Sequence, residues 1–142
     1  MADFTYERQV HYYETDRMGI VHHSNYIRWM EEARIAALSY RGLPYDRMEQ
    51  EGILVPVLTA SCNYRLPFRF GDTFVVRLRP KAFNGIKLTI TYEIVHKETG
   101  ALHANGETSH CFTDSEIKLI NLKKLFADVY EGLMKWNEEN ND

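Results

Sequence analysis

The chain has 142 residues, of which 44% are hydrophobic and 26% charged, and its formal net charge is −3. That length fits one domain, residues 1–142, since domains run to roughly 100–200 residues, and the composition is that of an ordinary globular protein. The negative charge speaks against nucleic acid as the main partner, and no run approaches the roughly 18 apolar residues of a membrane span.

Met1 to Gln9 are polar and mixed in charge and lack the apolar stretch of a leader, so a cytoplasmic protein is expected. In Phe4, Tyr6, Val10 and Tyr12 the apolar residues fall on even positions, the pattern of a half-buried strand, which Arg8 interrupts. If the strand geometry persists, Asp16 shares an inward face with Tyr12 and Glu14. Ser24 or Asn25 is placed to cap the helix that follows. Tyr26, Trp29, Met30, Ala33, Ala36, Ala37 and Tyr40 form its apolar stripe, with Arg28, Glu32, Arg34 and Ser39 elsewhere. Gly42, as a left-handed stop, and Pro44 end it.

Asp46 to Gly52 reads as a polar connection. Leu58, Ala60, Cys62, Tyr64 and Leu66 then give one strand face, ended by Pro67, and Gly71-Asp72 marks a turn. Phe74, Val76 and Leu78 form the next strand face, with Arg77 and Arg79 pointing the other way. Asn84-Gly85 predicts a hairpin with a type I′ turn, which needs φ > 0 at both residues. Ile86, Leu88, Ile90, Tyr92 and Ile94 alternate with polar residues, Thr99-Gly100 turns the chain, and Leu102 to Phe112 is a less apolar strand. A last helix over about 122–137 is capped by Asn121, with a stripe of Leu122, Leu125, Phe126, Val129, Tyr130, Leu133 and Trp136, and a frayed tail over Glu138–Asp142. The order β-α-β-β-β-β-α, with hairpin-like connections, predicts an α+β fold in which a curved antiparallel sheet wraps around the first helix.

Asp16 is the residue best placed for chemistry. It stands between a strand and a helix start, where free N–H groups can polarise a carbonyl. The helix dipole favours its ionised form and burial opposes it; an ionised carboxylate serves either as nucleophile or as base. The plainer reading is that Asp16 caps the loop or the helix. His22 and His23 do not suggest a metal site, because adjacent side chains diverge and no third ligand follows at usual spacing. Cys62 and Cys111 make neither a disulfide framework nor a zinc motif.

The run Tyr12-x-Glu14-Thr15-Asp16-x-x-Gly19-Ile20-Val21-x-His23-x-x-Tyr26, followed by Glu31 and Arg34, resembles the 4-hydroxybenzoyl-CoA thioesterase-like family, and within it the bacterial short-chain acyl-CoA thioesterases. Ser61-Cys62-Asn63-Tyr64, with Pro67 and Gly71-Asp72, matches a second stretch shared by hotdog proteins of several activities. The resemblance implies the hotdog fold, a homodimer or homotetramer with the pocket at a subunit junction, and hydrolysis of a small acyl- or aroyl-CoA without metal or cofactor. It makes Asp16 the catalytic carboxylate, as nucleophile or as general base. It also suggests that His23 assists and that Tyr12 lines the acyl pocket or hydrogen-bonds Asp16. Gly19 then permits close approach of substrate, the amides of Val21, His22 and His23 polarise the carbonyl, and Tyr26 contacts substrate. Val57 is an alternative amide donor, and Lys87 is expected near the nucleotide, with Arg65, Arg69, Arg77 and Arg79 as further cations. Glu31 is expected to contact Arg34 or a subunit interface. Two rival functions remain at this point, an acyl-carrier-protein thioesterase and a non-catalytic acyl-CoA-binding hotdog protein.

Overall fold

Alternation makes the central strands what they are. In the computed structural model, which describes residues 4–141, Phe74, Val76 and Leu78 turn inward from one strand and Leu88, Ile90, Tyr92 and Ile94 from the next. The strands are β1 (Thr5–Gln9), β2 (Val57–Tyr64), β3 (Thr73–Phe83), β4 (Lys87–His96) and β5 (Leu102–Cys111). They form one antiparallel sheet in the order β1-β3-β4-β5-β2. β1 pairs with β3 from Thr5↔Arg77 to Gln9↔Thr73. The helices are α1 (Ser24–Tyr40), α2 (Tyr45–Gln50), α3 (Leu122–Leu125) and α4 (Ala127–Asn141). Among the described residues no helix is long and apolar enough to cross a membrane.

Contacts group the chain into two compact units, one made of the chain up to Ala37 with Ser61–Leu78 and Tyr92–Gly106. Its core is aromatic. Trp29 stacks on Phe74 with ring centroids 3.9 Å apart, while Phe68 meets Trp29 edge-on at 5.6 Å and stacks on His103 at 4.2 Å. Such pairs contribute about 0.5–1.5 kcal/mol each beyond the burial of their area. A Cβ at Gly106 would collide with the Met30 side chain and the Ser61 carbonyl, so only glycine lets these segments approach. Here Arg34 departs from its expected place on the polar side of α1: it is buried, and its Nη1 donates to the Tyr92 hydroxyl at 3.2 Å.

The other unit holds Leu38–Ala60, Arg79–Thr91 and the chain from Glu107 onward. Gly42 ends α1 as expected, with φ of 80°; its N–H donates to the Ser39 carbonyl and that of Leu43 to the Leu38 carbonyl, the paired bonds of a Schellman cap. Tyr40, expected in the apolar stripe, is exposed. Asp46 to Gly52 is not a mere connection, because Pro44 starts the short α2 there and Met48 anchors it. The hairpin at Asn84-Gly85 forms, but not as a type I′ turn. Gly85 alone is left-handed (φ 89°), and Asn84 Oδ1 accepts the N–H groups of Ile86 and Lys87, leaving Ile86 in the loop. The final helix is broken at Phe126 (φ −141°, ψ 67°). Its tail is helical rather than frayed through Asn141, whose side-chain amide donates to the Pro80 carbonyl; Asp142 lies outside the described residues.

β2 departs most from its expected half-buried character. It lies at one edge of the sheet and its side chains are exposed or half-exposed along its whole length, Leu58 by 52%. Leu66 and Pro67 fall beyond its end.

Candidate active site

The strand expected to run through Tyr12 stops at Gln9. A 3₁₀ turn over Tyr12–Glu14 follows, so strand parity no longer governs Asp16. Tyr12 is 75% exposed, with its ring edge-on against Phe70 at 5.5 Å, and makes no hydrogen bond to Asp16. Glu14 is only 3% exposed. Its carboxylate takes donors on every side: Arg8 Nη1 and Nη2 at 3.1 and 2.8 Å, the His11 N–H at 2.8 Å and Trp29 Nε1 at 2.8 Å. Burial alone would raise the Glu14 pKa, but the Arg8 guanidinium, the His11 amide and the indole N–H outweigh it and hold the group at about 2. Arg8 also binds Glu32 (2.9 Å), which accepts from the Tyr6 hydroxyl, and its guanidinium lies over Phe74. The residue that interrupted the alternation of β1 is therefore the hub of a half-buried charge network. Glu32, not Glu31, carries the ion pair on α1; Glu31 is exposed.

Beyond Glu14 the chain folds into a tight hairpin in which Thr15 pairs with Val21. The Asp16 N–H donates to the Ile20 carbonyl at 2.8 Å and the Gly19 N–H to the Asp16 carbonyl at 3.0 Å. Gly19 adopts φ of 78°, which glycine reaches without steric penalty. Asp16 Oδ1 accepts the Met18 N–H at 2.8 Å, an Asx turn, and Oδ2 has no protein donor among the described residues. The carboxylate thus binds within its own loop rather than the start of α1.

The start of α1 differs from expectation too. Ser24 and Asn25 lie within its first turn instead of capping it. The Ser24 N–H donates to His22 Nδ1, and those of Asn25 and Tyr26 to the carbonyls of His22 and His23. Asn25 is buried, and its side-chain amide donates to the Glu14 carbonyl at 3.0 Å. Two of the three amides expected to polarise a substrate carbonyl are already engaged, that of Val21 by the Phe68 carbonyl and that of His22 by the Glu14 carbonyl. Only the His23 N–H lacks an acceptor among the described residues.

Asp16, Met18, Ile20, Val21, His23, Tyr26, Tyr64, Arg65, Leu66 and Pro67 line a cleft of about 310 Å³. Its walls are mainly apolar and aromatic. Tyr26 meets Tyr64 edge-on at 5.0 Å, and the Tyr64 hydroxyl donates to the His23 carbonyl at 3.3 Å. Burial pushes the Tyr26 phenol up to about 12 and raises that of Tyr64, so both are neutral donors at physiological pH. Arg65 Nε is held by Asn105 Oδ1 at 3.3 Å. The cleft therefore brings Asp16, Val21, His23 and Tyr26 together. Tyr12, Gly19 and His22 stand beside it without lining it, and His22 is bound to the Ser24 hydroxyl at 2.8 Å. Val57 and Lys87, both exposed, belong to the other unit. Among the described residues no three His, Cys, Asp or Glu side chains converge to hold a metal ion.

Sequence reasoning missed Glu14 as a buried clamp and Leu66 and Pro67 as cleft walls. Arg8 in an otherwise apolar register, with an acidic residue six positions on, was the available signal for Glu14. Chemically, a carboxylate with one uncommitted oxygen shares an apolar-walled cleft with an uncommitted amide donor, an arrangement suited to acyl transfer from a polarised carbonyl.

Residues 10–136 match the model of the thioesterase-like superfamily. A Bacillus subtilis chain provisionally named acyl-CoA thioesterase YneP is 39% identical over 91% of this chain and 94% of its own. A 1,4-dihydroxy-2-naphthoyl-CoA hydrolase of Trichodesmium erythraeum is 30% identical over 94% of this chain and 96% of its own. The crystal structure of a DHNA-CoA thioesterase from Staphylococcus aureus superposes with a TM-score of 0.91 at 31% identity, covering 96% of this chain and 92% of that one.

Proposed function

The chain belongs to the thioesterase-like superfamily, with the hotdog fold, and from that premise we propose that it hydrolyses a short-chain acyl- or aroyl-CoA thioester to the free acid and CoA, with Asp16 carrying the reaction. The observation that supports this most is the Asp16 carboxylate at the wall of the cleft, with Oδ2 uncommitted. Acting as nucleophile, Asp16 adds to the thioester carbonyl and expels the CoA thiolate, and water then hydrolyses the mixed anhydride. Acting as general base, it takes a proton from the attacking water. Both routes place negative charge on the carbonyl oxygen, and the His23 N–H is the donor for it. The His23 ring, Tyr26 and Tyr64 shape the acyl end, and Gly19 permits the turn that presents Asp16. A coenzyme A thiolate is a weak base and leaves without a strong acid.

Residues 1–142 are read as one such domain. The exposed edge strand β2 supports pairing with a second copy in a homodimer or homotetramer, since an open edge presents unpaired backbone groups. The family resemblance supports Tyr12 beside the acyl group by its motif position, and Val57 as a second amide donor and Lys87 as a phosphate contact by the regions that family members use for those roles.

The test is a panel of acetyl- to octanoyl-CoA, benzoyl-type CoA esters and the same acyl groups on acyl carrier protein, followed by thiol release. Turnover of a free CoA ester at least tenfold above its carrier-protein counterpart is expected. Preference for the carrier-protein esters would shift the assignment to them, and turnover of none would remove it.

A further inference from the structure

Four donors meet at the Glu14 carboxylate, and they come from three parts of the chain: Arg8 from β1, His11 from just before the 3₁₀ turn, and Trp29 from α1. Its backbone carbonyl joins two more points, accepting the His22 N–H at 2.8 Å and the Asn25 side-chain amide at 3.0 Å. Two groups of the cleft depend on that carbonyl. Asp16 follows it by two residues, through the Thr15–Val21 pair. On the other side, the Asn25 side-chain amide that donates to this carbonyl also donates to the His22 carbonyl at 3.3 Å, where the Asn25 N–H joins it at 3.0 Å, and so holds the peptide whose His23 N–H is the uncommitted donor.

We propose that Glu14 is a positioning residue, whose clamped carboxylate holds its own carbonyl so that the Asp16 carboxylate and the His23 N–H keep a fixed separation across the cleft. This rests on the thioesterase reading of the site. Misplacing a reacting group by about 1 Å is enough to cost about a hundredfold in rate, so a clamp of this kind acts on kcat while leaving substrate affinity alone. Because every partner of the Glu14 side chain is a donor, a glutamine there must turn its own NH₂ against a donor pair. Glu14→Gln therefore loosens the clamp with little change of volume.

The experiment compares wild type with Glu14→Gln as full chains, at a temperature where both are folded by circular dichroism. Saturation kinetics on the best CoA ester are combined with amide hydrogen exchange at His22. The expected result is a kcat lowered more than fivefold, a KM within twofold of wild type, and His22 exchange at least tenfold faster. A kcat lowered less than fivefold, a loss confined to KM, or unchanged His22 exchange overturns the proposal. Should Glu14→Gln fail to fold, Asn25→Ala removes a donor from the same carbonyl while sparing the ion pair, and the same three readings decide. If wild type hydrolyses no thioester, the functional reading fails by itself, and the His22 exchange comparison still decides whether Glu14 holds the loop.

Discussion

Two hairpin tips of this chain share one hydrogen-bond plan. At the first, Thr15 pairs with Val21; at the second, Thr113 pairs with Leu119. Each has an aspartate just inside, whose N–H donates to the residue four on: Asp16 to Ile20 at 2.8 Å, Asp114 to Lys118 at 2.9 Å. Each aspartate accepts the amide two residues on through Oδ1, and each has a left-handed residue next, Gly19 at φ 78° and Ile117 at φ 63°. The plan even extends outward, with the Glu14 carbonyl accepting from His22 and the Phe112 carbonyl from Ile120. The difference lies beneath the loops. Behind Asp16 sits a buried glutamate fixed by an arginine and an indole, whereas behind Asp114 sits Phe112, packed edge-on against Phe83 at 6.0 Å. A Thr-Asp turn is thus a generic way to end a hairpin, and the cleft with its charged clamp is what sets one of the two apart.

The largest expected break in this comparison comes from the layer beneath. Arg8→Ala leaves the Glu14 carboxylate buried without its cation, which costs about 3–5 kcal/mol; Phe112→Ala opens a cavity at a similar cost of about 3–5 kcal/mol. Acidity separates the two. The folded-state pKa of Glu14, about 2, lies below its ordinary 4.5. The clamp's stabilisation is therefore fully present above about pH 4.5 and is lost as the pH falls through about 2. Urea unfolding at neutral pH and near pH 2.5 should show the Arg8→Ala penalty shrinking in acid and the Phe112→Ala penalty unchanged. Equal shrinkage in both would mean that the clamp contributes no special charge stabilisation.

A smaller effect sharpens the comparison at the left-handed position. Exchanging the residues, as Gly19→Ile and Ile117→Gly, moves strain from one tip to the other. A branched side chain in that region costs roughly 1–2 kcal/mol, and nothing lies within 4 Å of the Cβ that Gly19 would gain, so the cost is conformational. Thermal unfolding should show Gly19→Ile lowering Tm by several degrees and Ile117→Gly raising it by a few. A fall with Ile117→Gly would mean that the exposed Ile117 side chain contributes more than its backbone strain costs.

Much of this could be read from residue order. β3, β4 and the body of α1 follow their buried periodicity, and Gly42 stops α1 as its position implies. The motif around Asp16 lies on a loop that lines the apolar-walled cleft. What escaped reading has physical reasons. α2 is too short for a helical period to emerge. In Asn84-Gly85 the asparagine side chain captured the turn amides, so one left-handed residue sufficed where two were expected. Parity failed at Asp16 because a 3₁₀ turn intervened, and a period-two argument does not survive a change of element. Parity placed Glu14 on the inward face and Arg8 as an interruption, but periodicity alone does not reveal that opposite charges six residues apart pair with each other beside an indole. Val57 and Lys87 carry no such local signal to test: their proposed roles depend on contacts beyond their own strands.

The account is tested most directly by neutralising both aspartates under identical conditions. Saturating hydrolysis of the best CoA ester is measured for wild type, Asp16→Asn and Asp114→Asn, with folding checked by circular dichroism. The account predicts that Asp16→Asn lowers kcat by at least about a hundredfold, the scale of a lost acid–base or nucleophilic group, while Asp114→Asn stays within twofold of wild type. Activity of Asp16→Asn within tenfold of wild type, or an equal loss at both tips, would contradict it.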